Sequence, residues 1–206
     1  MNDRTGIYLK DLATGEPVAA VLIDGITIRQ VVVTEVRWRP YIENKEKQLA
    51  QDRVPHENWP QHLHWDWTRK YKKTRKLLAY RWLGIECAEE MQGLMLLDTA
   101  TVTGRLPDQQ GRPLVYVHYV ATAPWNSPEV THSPKYGWIG RVFIAAAIQI
   151  SKAEGYKGRL GLHALPQSET YYREICGMTD WGKDPSKENL RYFEMTPQQA
   201  ENFLEC

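Results

Sequence analysis

The stretch that decides the fold runs from Leu114 to Glu154. It opens Leu114-Val115-Tyr116-Val117-His118-Tyr119-Val120-Ala121-Thr122-Ala123. After a loop rich in proline and polar residues (Pro124–Pro134), it continues Lys135-Tyr136-Gly137-Trp138-Ile139-Gly140-Arg141-Val142-Phe143-Ile144-Ala145-Ala146-Ala147-Ile148. The first part alternates and is β-branched, which predicts a strand. The last part predicts a helix over Gly140–Glu154, closed by Gly155 in the position after the last turn. That helix is apolar nearly all round, so it is packed on several sides. Its first turn offers unpaired N–H groups and a partial positive charge. Gly137 and Gly140 leave backbone open to a ligand, and Lys135 and Arg141 add cations; together they suit an anion of the size of a pyrophosphate. The same two glycines would equally serve a plain turn.

Outward from this stretch, Gly6–Leu12 and Pro17–Ile23 read as a hairpin around Ala13-Thr14-Gly15-Glu16. Ile26–Trp38, rich in Val, Ile and Thr, predicts a longer strand, and Pro40–Gln51 a helix. Gln61–Lys76 reads as a polar, aromatic helix. Leu77–Cys87 and Gly93–Val102 are expected strands around Glu89-Glu90-Met91-Gln92, followed by a loop over Gly104–Arg112. Beyond Gly155, a strand Arg159–Ala164, a helix Gln167–Cys176, a strand Leu190–Met195 and a last helix opened by Thr196-Pro197 complete the chain. Helices interleaved with a mostly antiparallel sheet define an α/β (α+β) layer fold, expected to form one domain over 1–206.

Composition narrows the function classes. A formal net charge of +1 gives no global field toward nucleic acid or a membrane. No window reaches the roughly 18 apolar residues of a membrane span, and the start does not read as a signal peptide. Cys87, Cys176 and Cys206 are scattered, which fits a reducing cytoplasm rather than a disulfide framework or zinc ribbon. His62-Leu63-His64-Trp65-Asp66-Trp67 puts His62 and Asp66 four apart, but no further ligand completes a metal site, so none is assigned. The basic run over Arg69–Lys76 reads as a solvated helix face, with a clamp on an acidic acceptor or RNA as the functional alternative. Cys87 and Cys176 read as small core residues, and His163, at a strand end, as structural.

The central stretch resembles the acyl-CoA-binding core of the GNAT superfamily of N-acetyltransferases. There a strand ending in a Val-x-Pro-like sequence enters an Arg/Gln-x-x-Gly-x-Gly/Ala turn and a helix. Lys135 takes the first motif position, Trp138 the fourth and Gly140 the sixth. Trp138 stands where the family has glycine, with Gly137 one residue earlier. Ala123-Pro124-Trp125-Asn126 and the long loop after it resemble an uncharacterised bacterial subgroup. Tyr171-Tyr172-Arg173-Glu174-Ile175-Cys176-Gly177-Met178 is similar to the family's Ala-x-x-Phe-Tyr-x-x-x-Gly-Phe helix. Tyr172 falls at the tyrosine, and one extra residue precedes Gly177. Leu165 stands where the family often has a cofactor-binding Asn. The likeness covers roughly 77–205, with 1–25 as an extra N-terminal hairpin.

The resemblance implies a GNAT fold with acetyl-CoA or a related acyl-CoA as co-substrate and an amine as acceptor. The amine would attack the thioester directly. Backbone N–H groups of Val120, Ala121 and Thr122 would face the carbonyl and the pantetheine arm, where preorganised donors can contribute about 3 kcal/mol. Lys135, Gly137, Trp138, Ile139, Gly140 and Arg141 would hold the pyrophosphate, and Tyr172 would act as general acid. Serotonin-type N-acetyltransferases carry two histidines at places matching Tyr116 and His118, which makes these two the candidate bases, with Asp98 as a further one. A core histidine is the competing reading of His118. Two alternatives stand beside the enzyme: a CoA-binding module with weak or no catalysis, and a nucleic-acid-associated protein using residues 69–76. The acceptor, the acyl length and the choice between monomer and homodimer are left open.

Overall fold

The structure is a computed structural model and describes residues 3–205; Met1, Asn2 and Cys206 lie outside the described residues. Among the described residues, nine strands, β1 (Asp3–Asp11), β2 (Pro17–Asp24), β3 (Tyr80–Cys87), β4 (Glu90–Asp98), β5 (Val115–Thr122), β6 (Tyr136–Gly137), β7 (Leu160–Ala164), β8 (Thr179–Asp184) and β9 (Leu190–Met195), hydrogen-bond in the order β6-β1-β2-β3-β4-β5-β7-β9-β8, a mostly antiparallel open sheet flanked by helices. The chain divides into two compact units. The first takes the residues up to Leu78, Trp82–Leu94 and Ala121–Ile139. The second takes Ala79–Arg81, Met95–Val120 and the residues from Gly140 on.

In the first unit the hairpin β1 (Asp3–Asp11) and β2 (Pro17–Asp24) forms as its alternation predicts. It is more than an appendage: β2 pairs antiparallel with β3 (Tyr80–Cys87) from Val21↔Glu86 to Asp24↔Leu83. On the other edge β1 takes up β6, the two residues Tyr136–Gly137, at Lys10↔Gly137 and Asp11↔Tyr136.

Ile26–Trp38 is not a strand. It joins the expected Pro40–Gln51 helix in one helix, α1 (Ile28–Gln51). Thr27 and Gln30 close a reciprocal capping box, and the buried residues Val31, Thr34, Trp38 and Ile42 recur every three or four positions. That one-sided burial outweighs the strand preference of the β-branched residues, and the helix passes Pro40 at the loss of one backbone hydrogen bond. The second helix is also shorter than expected: α2 spans only Trp67–Thr74. Asp66 caps its Arg69 N–H, and Glu35 of α1 accepts from the N–H groups of Trp67 and Thr68, which locks α2 against α1. Trp67 meets Trp38, Trp65 and Trp82 edge-on at 5.5–6.3 Å, so the tryptophans of the His62–Trp67 segment serve the core.

The second unit holds most of β5 (Val115–Thr122), α3 (Ile139–Ala153), β7 (Leu160–Ala164), β8 (Thr179–Asp184), β9 (Leu190–Met195) and α4 (Pro197–Glu205). β4 (Glu90–Asp98) runs through both units and is buried on both faces beyond its first residue. Strand β8 was not foreseen; its bulge between Asp180 and Lys183 breaks the alternation a sequence reading needs. The expected Gln167–Cys176 helix is irregular. It begins as a 3₁₀ turn, Pro166–Ser168, and becomes a π-helix over Tyr171–Ile175, with Cys176 N–H donating to Tyr171 C=O at 3.0 Å. A π turn takes up one residue more than an α turn. The extra residue before Gly177 is accommodated there.

Candidate functional site

The second unit brings together an unusual density of ionisable and aromatic side chains. Strand β5 pairs in parallel with β7 over only three positions, Val115↔Leu160, Tyr116↔Gly161 and Val117↔Leu162. β5 itself continues to Thr122, so His118 and Val120 lie past the last rung. Alternation puts Tyr116, His118 and Val120 on one face of the strand.

His118 sits on that face with its ring 4.7 Å from Tyr116 and 5.3 Å from Tyr80, centroid to centroid. Its Nε2 is buried without a hydrogen-bond partner and lies 3.8 Å from Asp98 Oδ2. Burial lowers the His118 pKa, with the Asp98 charge opposing and Lys187 and His163 assisting. The resting imidazole is therefore neutral and able to accept a proton. Asp98 is 1% exposed and is not a strand-end carboxylate in solvent. Burial pushes its carboxyl up, but donors outweigh that: the Thr101 hydroxyl and the N–H groups of Ala100 and Thr101, together with nearby His118, hold it below the ordinary range. An ionised Asp98 thus faces a neutral His118.

On the other side, Tyr116 hydrogen-bonds through its hydroxyl to His163 Nδ1 at 2.5 Å, and His163 Nε2 lies 3.0 Å from Asp184 Oδ2. Arg105 donates to the same carboxylate oxygen at 2.6 Å, while Ser186 N–H and O–H donate to Asp184 Oδ1. Burial pushes the Tyr116 phenol up to about 12. His163 is lowered, by burial first. Two carboxylate–histidine pairs therefore flank one tyrosine. Sequence reading singled out Tyr116, His118 and Asp98, took His163 as structural, and missed Tyr80, Asp184 and Arg105. Their partnership arises from segments far apart in the chain, two strands and the loop after β4, and no spacing encodes it.

Tyr172 is buried, its ring 6.0 Å from Phe193, and burial raises its phenol. Its neighbour Tyr171 reaches α3: a Cβ on Gly140 would lie 3.0 Å from the Tyr171 hydroxyl, which is buried without a hydrogen-bond partner. Gly140 thus admits a tyrosine of its own unit as well as standing at the helix start. Arg141 stacks on Phe203 at 4.8 Å and donates to the Phe203 carbonyl at 3.1 Å, tying α3 to α4.

In the first unit, Lys135 is exposed, with its ammonium 5.0 Å from the Tyr136 ring centroid. Gly137 is committed to the β1–β6 ladder, where a Cβ would lie 3.2 Å from Leu12. Trp138 has φ +70, the left-handed conformation that favours glycine, with its indole 48% exposed. The backbone at this position takes a glycine-like conformation although the residue is tryptophan. Ile139 is buried, and Ala121 and Thr122 are half-buried. A buried glutamine holds the segment that leads here: Gln92 Oε1 accepts from Trp125 Nε1 and Asn126 Nδ2, and its Nε2 donates to the carbonyls of Cys87 and Glu90. Asn126 Oδ1 in turn accepts from Tyr136 N–H at 2.9 Å.

The sequence matches no protein-family model and no curated protein sequence, so any likeness lies in three-dimensional structure. Among solved structures, an N-acyl amino acid synthase from uncultured soil microbes, FeeM, superposes with a TM-score of 0.57 at 11% identity, over 89% of this chain and 94% of its own. A GNAT-family protein from Desulfovibrio desulfuricans gives 0.54 at 9% identity, over 86% of this chain and 99% of its own. The aminoglycoside acetyltransferase AAC(6′)-Ib, in complex with coenzyme A and kanamycin, gives 0.53 at 12%, over 87% and 98%. The chain has the GNAT fold. No helix among the described residues is long and apolar enough to cross a membrane, and no three of their His, Cys, Asp and Glu side chains gather to hold a metal.

Proposed function

We propose that this protein is an acyl-CoA-dependent N-acyltransferase that moves an acetyl or other short acyl group to an amine by direct attack on the thioester. The observation that carries the reading is the placement of His118. It stands past the last β5–β7 rung, neutral, with an ionised, buried Asp98 behind it. A primary amine is protonated at neutral pH and must lose that proton before it can attack. With Nε2 turned to Asp98, Nδ1 is the ring nitrogen suited to take that proton, directly or through water. Val120, Ala121 and Thr122 continue the strand and would supply backbone donors to the thioester carbonyl and pantetheine. The amides that open α3 at Gly140 and Arg141 would receive the pyrophosphate, and Arg141 keeps guanidinium N–H groups beyond the one given to Phe203. Tyr172 would return a proton to the departing thiolate.

Calorimetry with acetyl-CoA tests the reading, followed by mass spectrometry of a panel of amines, peptides and aminoacyl compounds. Binding in the micromolar range and an acetylated product are expected. No binding at high micromolar acetyl-CoA would remove the reading. A second one, a CoA-binding module without turnover, is favoured by one observation: Trp138 occupies the left-handed position with its indole half-exposed. Binding without thioester loss across the panel would select it.

A further inference from the structure

Two features of the second unit remain unused by the mechanism above: the hydrogen bond between Tyr116 and His163, and the carboxylate behind that histidine. An ionised carboxylate only accepts hydrogen bonds, so a His163–Asp184 contact at 3.0 Å places the imidazole hydrogen on Nε2. Nδ1 is then the lone-pair nitrogen, and the 2.5 Å contact makes the Tyr116 hydroxyl its donor. The arrangement is held from every side. Arg105 and Ser186 anchor Asp184; Arg105 stacks over Tyr192 at 4.2 Å; and Tyr192 packs on the His163 ring at 5.0 Å, its own hydroxyl bonded to Glu194. The His163 and Asp184 side chains are only 5% and 11% exposed. The charges acting on His163 are Asp184, which favours its protonation, and Arg105 and Lys187, which oppose it; Tyr116 also has Tyr119 and His118 beside it.

Acyl transfer to an ammonium requires two protons to leave nitrogen, one before attack and one from the tetrahedral adduct. One of them ends on the thiol and the other in solvent. His118, 27% exposed, can exchange its proton with water. We propose that Asp184 and His163 are positioning residues that make Tyr116 the second proton acceptor of this reaction, a role that rests on the acyltransferase reading. An N–H bond of the adduct breaks as an O–H bond forms at Tyr116. The phenol's original O–H breaks as an N–H bond forms at His163 Nδ1, giving an imidazolium balanced by Asp184. Tyr172 protonates sulfur as the C–S bond breaks and regains a proton from water, while the proton held on His163 leaves to water along the same path and restores Tyr116. The net change from the ammonium is one N–C bond made, one C–S bond broken, one proton placed on sulfur and one released to solvent.

The experiment compares the full-length wild type with Tyr116→Phe, His163→Gln and Asp184→Asn. Calorimetry with acetyl-CoA comes first: no binding by the wild type would remove the acyltransferase reading and the relay with it, whereas equal affinity in all four confines any later failure to the relay. Long-range proton–nitrogen NMR of the ¹⁵N-labelled protein alone then reads the tautomer of His163. A hydrogen on Nε2, with an Nδ1 resonance that moves on Tyr116→Phe, is expected; a hydrogen on Nδ1, or no movement, would overturn the proposal whatever the turnover. With the most active amine of the panel, Tyr116→Phe and His163→Gln should each lower kcat about 10²-fold, with KM for acetyl-CoA unchanged. The double variant should be no slower than either, and a bowed dependence of rate on deuterium fraction in the wild type should become linear. Additive losses, or a linear dependence in the wild type, would overturn it. Glutamine accepts the phenol's hydrogen bond but takes no proton, so rescue by His163→Gln would reduce His163 to a packing role.

Discussion

Tyr171 places its hydroxyl 3.0 Å from where a Cβ would stand on Gly140, the second residue of α3. The hydroxyl is buried and finds no hydrogen-bond partner, and burial raises its pKa well above the ordinary tyrosine value. The glycine that the sequence offers as a phosphate contact is thus also the floor for a tyrosine from the π-helix.

That pairing gives a stability test. Gly140→Ala should cost about 1–3 kcal/mol by forcing Tyr171 aside. Tyr171→Phe removes an unsatisfied hydroxyl and should be neutral or stabilising alone. The double variant should recover most of the loss, as read from urea midpoints at constant m-value. If the two effects simply add, the contact does not constrain the helix start, and weakened CoA binding by Gly140 variants could then be ascribed to the phosphate.

The His118–Asp98 pair predicts a pH dependence. Because burial lowers the His118 pKa, activity should rise with pH through a value below the ordinary 6.5 of histidine and be flat through neutrality. Asp98 opposes that lowering, so Asp98→Asn should move the acid limb to still lower pH, and His118→Ala should abolish it along with most of the rate. A limb that stays in place in His118→Ala belongs to another group. The measurement is kcat/KM for acetyl transfer between pH 5 and 9.

Tyr172→Phe should lower turnover about 10²-fold and leave the affinity for acetyl-CoA within twofold, if the phenol protonates the leaving thiolate. Single-turnover kinetics with calorimetry separates the two quantities. An unchanged rate would return Tyr172 to a packing role against Phe193.

Gln92→Leu should be among the costlier substitutions in the first unit. It leaves the indole N–H of Trp125 and the Asn126 amide without their acceptor, and the carbonyls of Cys87 and Glu90 without their donor. A loss on the order of 3 kcal/mol is expected. Because Asn126 also fixes Tyr136, CoA affinity should fall too. A melting temperature within a degree or two of wild type would show that water replaces the amide.

Much of the fold was legible because its signals are local. Alternation marked the hairpin and β5. The apolar run after Gly140 and the closing Gly155, at φ +78, marked α3. Ile26–Trp38 reads as a strand because of its β-branched composition, while from Ile28 on its burial repeats every three to four residues behind a capping box at Thr27; packing decides in favour of helix. Strands β6 and β8 were hidden for a similar reason: two residues, or a strand broken by a bulge, carry no periodicity.

By itself, the sequence determined the order of the elements around Leu114–Glu154 and the two residues of β5, Tyr116 and His118, that share a face, since both follow from short-range periodicity. Only the tertiary structure decided what those residues touch. Asp98 behind His118, and His163 with Asp184 behind Tyr116, come from β4, β7 and β8, and hydrogen bonds between strands tens of residues apart depend on sheet register, which no local propensity specifies.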